Sequence, residues 1–256
     1  MTTVTIQPVP GIPDIRPGDD LGQIIGDCLA AMGEVEPGDV LAVAHKVISK
    51  AEGNVVALAD VSPSDEALDL GRELHKNPAK VEVVLQQSNR VLRAFKRPDQ
   101  AEGTLICEHR LGFISANAAV DESNVGARDT VITLPVDPDA SARRLGRALE
   151  KRFGKPIGIV VTDTFGRPWR LGQVNVAIGL YGVPARRSEA GELDAWGRPL
   201  TVTEPAFSDE IAAASGLAMH KAAKTPVILF RGLQWEAEAE TSARNLLRAK
   251  EEDVFQ

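Results

Sequence analysis

The segment Asp163-Thr164-Phe165-Gly166-Arg167-Pro168-Trp169 sets a carboxylate and a hydroxyl side by side at the end of an apolar run, Ile157 to Thr162. Adjacent carboxylate and hydroxyl oxygens suit hard cations such as Mg²⁺ or Mn²⁺. Gly166 would let the backbone turn, Arg167 and Arg170 add fixed positive charge for a phosphate or carboxylate, and Trp169 could wall off the site. A strand-to-turn junction, with Asp163 bonded to backbone amides, fits the local spacing equally well. A second polar run, Asn117 to Asn124, offers Asp121 and Asn124 as oxygen ligands. Taken alone, it reads more simply as a solvated turn. Should Asp121 and Asp163 converge to about 4 Å, they would repel by roughly 4 kcal/mol at an effective dielectric near 20, and a divalent ion would relieve this directly. His45-Lys46 and Lys50 follow another apolar run and supply cations suited to phosphate, with ordinary surface lysines as the alternative.

Several familiar chemistries are absent from the sequence. It holds no GxxxxGK[ST] and no GxGxxG, so neither phosphate-loop fingerprint is present. It holds no GxSxG and no HExxH, and His45, His75, His109 and His220 lack zinc-ligand spacing. A net charge of -7 gives no basic face for nucleic acid, and an anionic ligand must be met by local cations or metal ions. The 256 residues suit one large domain or two intimate ones, a size that needs no disulfide staples. Cys28 and Cys107 form no CxxC pair and read as isolated buried thiols, with a single disulfide as the alternative. No leader is visible at Met1-Thr2-Thr3-Val4, and no apolar run approaches the ~20 residues a membrane helix needs. The cytoplasm is the expected location.

Periodicity and punctuation give the elements that must position these residues. Alternation over residues 4–8 predicts a strand, and Gly11 to Asp14 a tight loop. Asp19-Asp20 opens an amphipathic helix through Leu29, ended by Pro37-Gly38-Asp39. Val40 to Ala44 reads as a buried strand. Residues 64–76 read as a helix, and Lys80 to Ala94 fits helix or strand. Thr104 to Arg110 and Gly112 to Ala116 resemble two strands joined by a turn. Asp137-Pro138 is a strong helix start, with the stop at Gly154. Ile157 to Thr162 is the clearest buried strand, ending at Asp163. Further expectations are a helix from Ser208 to about Lys224, a strand from Pro226 to Phe230 and a last helix over 237–249. The mixture, interleaved but not strictly alternating, predicts a mixed α/β or α+β architecture, with mixed sheets and flanking helices in a single domain over residues 1–256.

Three long stretches in register carry a resemblance: Val47 to Gly53, Gly112 to Asn124, and Asp163 to Gln173. With Ala177-Ile178-Gly179 and the run Pro226 to Leu233, they resemble the coenzyme F-420:L-glutamate ligase family along essentially the whole chain. The resemblance implies a ligase that joins L-glutamate to the deazaflavin precursor F-420-0 and adds further γ-linked glutamates. It implies use of GTP, a divalent metal (Mg or Mn) and potassium, with an acyl phosphate as intermediate. It assigns Asp121 and Asp163 to one metal and Thr164 to a second, with Asp121, Asp163 and Arg167 catalytic. It assigns nucleotide contacts to Ile12, Pro13, Asp14, Ile15, His45, Lys46, Lys50 and Asn124. The stretch Leu217 to Lys224 would supply further contacts through Met219, His220 and Lys221, with Lys221 at a metal-ligand position. The implied architecture is an intertwined homodimer of stand-alone ligase domains, without the reductase-like C-terminal domain of some relatives. A related carboxylate–amine ligase acting on another acid, and a non-catalytic deazaflavin-binding protein, are the competing readings.

Overall fold

The structure, a computed structural model, describes residues 3–123, 128–219 and 224–253. The chain begins with β1 (Thr5–Pro8), α1 (Leu21–Met32), β2 (Val40–Ala44) and α2 (His45–Ala51). A middle section follows: β3 (Val55–Ala57), α3 (Asp65–Leu74), α4 (Pro78–Gln86), β4 (Ser88–Phe95), β5 (Thr104–His109), β6 (Ile114–Ala116) and β7 (Thr130–Ile132). The described chain then forms α5 (Pro138–Phe153), β8 (Gly158–Arg167), β9 (Arg170–Tyr181), α6 (Phe207–Ser215) and β10 (Val227–Arg231). This is the expected α+β arrangement of mixed sheets with flanking helices.

The two strongest apolar runs make the centre. β2 and β8 lie parallel, with Val40 opposite Gly158 and Ala44 opposite Thr162. They sit inside a five-stranded sheet of order β1-β10-β2-β8-β9, whose other neighbours pair antiparallel. Consecutive residues of a strand point to opposite faces, and Gly158 to Thr162 are all buried, so both faces of the sheet are covered here. Burial of Ile159, Val160 and Val161 contributes about 1.5–3 kcal/mol each. α5 packs on β8 and β9, α1 packs on α5, and α6 packs on the same strands. Close approach requires glycine at two places. A Cβ on Gly146 would lie 2.0 Å from the Tyr181 ring, and one on Gly179 would lie 2.5 Å from the Pro138 backbone. A smaller core, including Leu74, Val81, Val84, Leu105 and Cys107, underlies the three-stranded sheet β4-β5-β6 with α3 and α4.

Local signals set most boundaries. Asp20, Ser64 and Asp137 each cap a helix by accepting a backbone N–H, and Gly154 ends α5 in the left-handed region. Four expectations need correction. The strand expected to end near Asp163 runs on to Arg167, because β9 pairs with it through Arg170. The turn accordingly falls at Pro168-Trp169, with Trp169 at φ 56°, and not at Gly166. The helix expected from Ser208 to Lys224 stops at Ser215, and the chain turns to carry Met219 toward the sheet. The helix expected over 237–249 is a short 3₁₀ turn, Ala243–Leu246. Asp139 at the start of α5 overrides helical propensity there, accepting from Ser242 Oγ at 2.6 Å and from the Ala243 amide at 3.1 Å. Lys80 to Ala94 is helix first and strand after, which explains its mixed pattern. Among the described residues no helix is long and apolar enough to cross a membrane.

Candidate active site

Parallel strands end side by side. The register Ala44 opposite Thr162 therefore makes neighbours of the next residues, His45 at the start of α2 and Asp163 on β8. His45 Nε2 lies 3.3 Å from Asp163 Oδ1. A β-bulge separates Val161 from Thr162 against β9, immediately before Asp163, where such an irregularity re-aims the side chains that follow. Phe165 is seated edge-on against Phe113, with centroids 6.1 Å apart, which ties β8 to the loop before β6.

These strand ends form the floor of a cavity of about 510 Å³. His45, Lys46, Lys50, Asp121, Asp163 and Thr164 line it. So do Ile12, Pro13, Asp14, Ile15 and Met219 from two distant segments. The structure thus brings together eleven of the residues singled out from sequence. Asn124, His220 and Lys221 lie outside the described residues. Arg167 is not on the cavity wall; it sits at the hairpin tip and donates to the Leu171 carbonyl at 2.9 Å, so the geometry gives no support to a catalytic role. Trp169 is exposed at the same tip and is not among the residues lining the cavity.

The two carboxylates are held in different ways. Asp121 Oδ2 accepts from Lys46 Nζ at 2.5 Å and from Ser123 Oγ at 2.9 Å, and Oδ1 accepts from the Ser123 amide at 2.7 Å. Burial pushes the Asp121 carboxyl up, but the Lys46 and Ser123 hydrogen bonds outweigh it and hold the pKa down at about 2. The backbone leading to Asp121 passes through three consecutive left-handed residues, Asn117, Ala118 and Ala119, at φ 51°, 47° and 56°. Each costs roughly 1–2 kcal/mol for a residue with a Cβ, so the surrounding packing must enforce this turn. Asp163 has a poorer supply of partners. Its side chain is only 12% exposed, and among the described residues no donor reaches hydrogen-bond geometry with it. A second buried histidine, His109, stands nearby. Burial, and then Arg110, push its pKa down to about 4 against the pull of Asp163, so it is neutral at pH 7.

Asp121, Asp163 and Thr164 fit a hard cation in their chemistry: all are oxygen donors facing one cavity, and among the described residues none donates a hydrogen bond to Asp163. Among the described residues no group of three His, Cys, Asp or Glu side chains is gathered closely enough to bind a metal, so hydroxyl and substrate oxygens would have to complete the shell. Gln173 and Asn175 of β9, and Thr162 and Thr225, line the cavity without having been singled out from the sequence. The alternation of Gln173, Asn175 and Ala177 was the available signal for the first two. Lys224 Nζ lies 3.3 Å from Asp14, joining the two nucleotide-type segments at the cavity mouth.

A family model described as F420-0:Gamma-glutamyl ligase matches residues 11–232. The chain belongs to the F420-0:gamma-glutamyl ligase family. It is 43% identical to the Coenzyme F420:L-glutamate ligase of Methanopyrus kandleri, over 100% of this chain and 98% of that protein. It is 38% identical to the protein of that name from Methanothermobacter thermautotrophicus, over 96% of each. For the Methanosarcina mazei protein the figures are 36% identity over 95% of this chain and 92% of the relative. As a member of the glutamyl ligase family the chain is an enzyme that forms an amide bond. The matched span contains every cavity residue named above.

Proposed function

We propose that this chain joins L-glutamate to the terminal carboxylate of F420-0 at the expense of GTP, and extends the product with γ-linked glutamates. The carboxylate oxygen attacks the γ-phosphorus of GTP, and GDP leaves. The glutamate amine then attacks the carbonyl of the acyl phosphate; inorganic phosphate leaves, and the amine gives up a proton. The carrying observation is the cavity itself, where two separate loop segments, a lysine pair and two carboxylates meet within the span of the family match. Phosphoryl transfer needs positioning and charge neutralisation more than a protein nucleophile, and this lining offers groups for both needs.

Asp121, Asp163 and Thr164 would hold divalent metal, which would supply charge neutralisation for the phosphates. Lys50 and Lys224 face the phosphates, and Ile12 to Ile15 contact the rest of the nucleotide. Lys46 is engaged with Asp121 and Ser123 and orders that loop. The assay is mass spectrometry of F420-0 incubated with the enzyme, L-glutamate, Mn²⁺, K⁺ and either GTP or ATP. Addition of glutamyl units with GTP, and GDP formed in proportion, is the expected result. No addition with any nucleotide would reject the reading. The same preparation is expected to sediment as a dimer, with exposed Leu171 and Trp196 covered by a second copy; a monomer at working concentration would reject that part.

A further inference from the structure

Asn175 sits on β9 directly opposite Thr164. It is 9% exposed and lines the cavity. A chain of hydrogen bonds runs through it. Thr164 Oγ1 lies 2.9 Å from Asn175 Oδ1, Asn175 Nδ2 lies 3.2 Å from Ser215 Oγ, and Ser215 Oγ lies 2.6 Å from the Ala212 carbonyl oxygen. The direction of each bond follows from the groups. A carbonyl oxygen accepts, so the Ser215 hydroxyl donates to Ala212 and keeps its lone pairs for Asn175 Nδ2. An amide nitrogen donates, so the Asn175 amide is fixed with Oδ1 toward Thr164, where it accepts. The second Nδ2 hydrogen points toward the Met219 sulfur at 3.8 Å, which leaves the flipped amide no advantage. The Thr164 hydroxyl has one proton, and that proton is directed at Asn175. What it turns to the cavity is lone pairs alone. A hydroxyl held so binds a cation and does not donate to a phosphate oxygen.

We infer that Asn175 is a positioning residue that fixes Thr164 as a cation ligand, with Ser215 of α6 fixing Asn175 in turn. The inference rests on the proposed reading of Thr164 as a cation ligand. It also explains why a buried amide stands where the hairpin leaves the apolar sheet: an apolar residue of similar size would leave the Thr164 proton free to rotate into the site.

The test is Mn²⁺ binding to the full chain with GDP present, followed by electron paramagnetic resonance of free Mn²⁺, on wild type, Thr164→Val, Asn175→Leu and the double variant. Partners that orient a metal ligand typically carry about 10–100-fold in metal affinity, and a loss in that range is expected for Asn175→Leu. The double variant should bind no more weakly than Thr164→Val, because Asn175 acts through Thr164. Wild-type affinity in Asn175→Leu, or losses that multiply in the double variant, would overturn the inference while leaving the proposed site standing. Wild-type affinity in Thr164→Val would overturn both. If Asn175→Leu fails to fold, Ser215→Ala replaces it, since Ser215 is off the cavity wall. A several-fold loss that disappears in the Thr164→Val background supports the inference, and no loss overturns it.

Discussion

Asp121 and Asp163 line the same cavity, yet they are built for different states. Asp121 stands on a loop held by the smaller core and is saturated by Lys46 and Ser123. Asp163 stands on the central sheet, mostly buried, and among the described residues it meets a misaligned imidazole at 3.3 Å and no hydrogen-bond donor. One wall is internally neutralised and the other is not. A carboxylate left in that second condition keeps its oxygen lone pairs free for a cation. On the proposed reading, the contrast makes Asp163 the centre of the cation site and Asp121 a ligand that would exchange Lys46 for metal when a nucleotide binds.

Substitution is the strongest way to break this contrast. Asp163→Asn should lower turnover by about 10³-fold, equivalent to ~4 kcal/mol of lost transition-state stabilisation, while leaving the melting temperature unchanged or raised. Asp121→Asn should also lose turnover, but it leaves Lys46 poorly partnered and should cost about 1–3 kcal/mol of stability. Turnover measured beside thermal melting on both variants checks this. Equal melting shifts would erase the distinction, and near-normal turnover in Asp163→Asn would remove Asp163 from the chemistry.

Acid titration of stability separates the walls by a smaller amount. The unfolded chain protonates His109 near its ordinary 6.5, whereas the folded chain does not until about 4. Its contribution is therefore present above pH 6.5 and is lost as pH falls from there toward 4. Between pH 7 and 5 the loss is about 2 kcal/mol. Asp121, depressed from 3.8 to about 2, contributes above pH 3.8 and loses that contribution only as pH falls toward 2. Urea unfolding at pH 7 and pH 5 should show the drop in wild type and a flatter response in His109→Asn. An equal drop in both would place the cause elsewhere.

Much of this site was legible because its parts carry local punctuation. Asp137-Pro138 and Gly154 bracket α5, and the apolar runs of β2 and the buried part of β8 end where His45 and Asp163 begin. The sequence also showed that Ile12 to Ile15, Lys50, Asp121 and Asp163 belong together, through the family resemblance and not through spacing. Long-range partners were not legible. Nothing near Ser242 announces that Asp139 will hold it out of a helix. Nothing near Asn175 announces that its amide will be fixed from α6. Arg167 reads as catalytic from its place in the family-like stretch Asp163 to Gln173, but the continuation of β8 carries it out to the hairpin tip.

The most direct test of the account is an anomalous difference map from crystals grown with GDP and Mn²⁺. The expected result is a Mn²⁺ peak bound by Asp163 and Asp121, with Lys46 displaced from Asp121 and Thr164 turned toward a cation by Asn175. A map with GDP in the cavity, no peak at Asp163 and Lys46 still on Asp121 would contradict it.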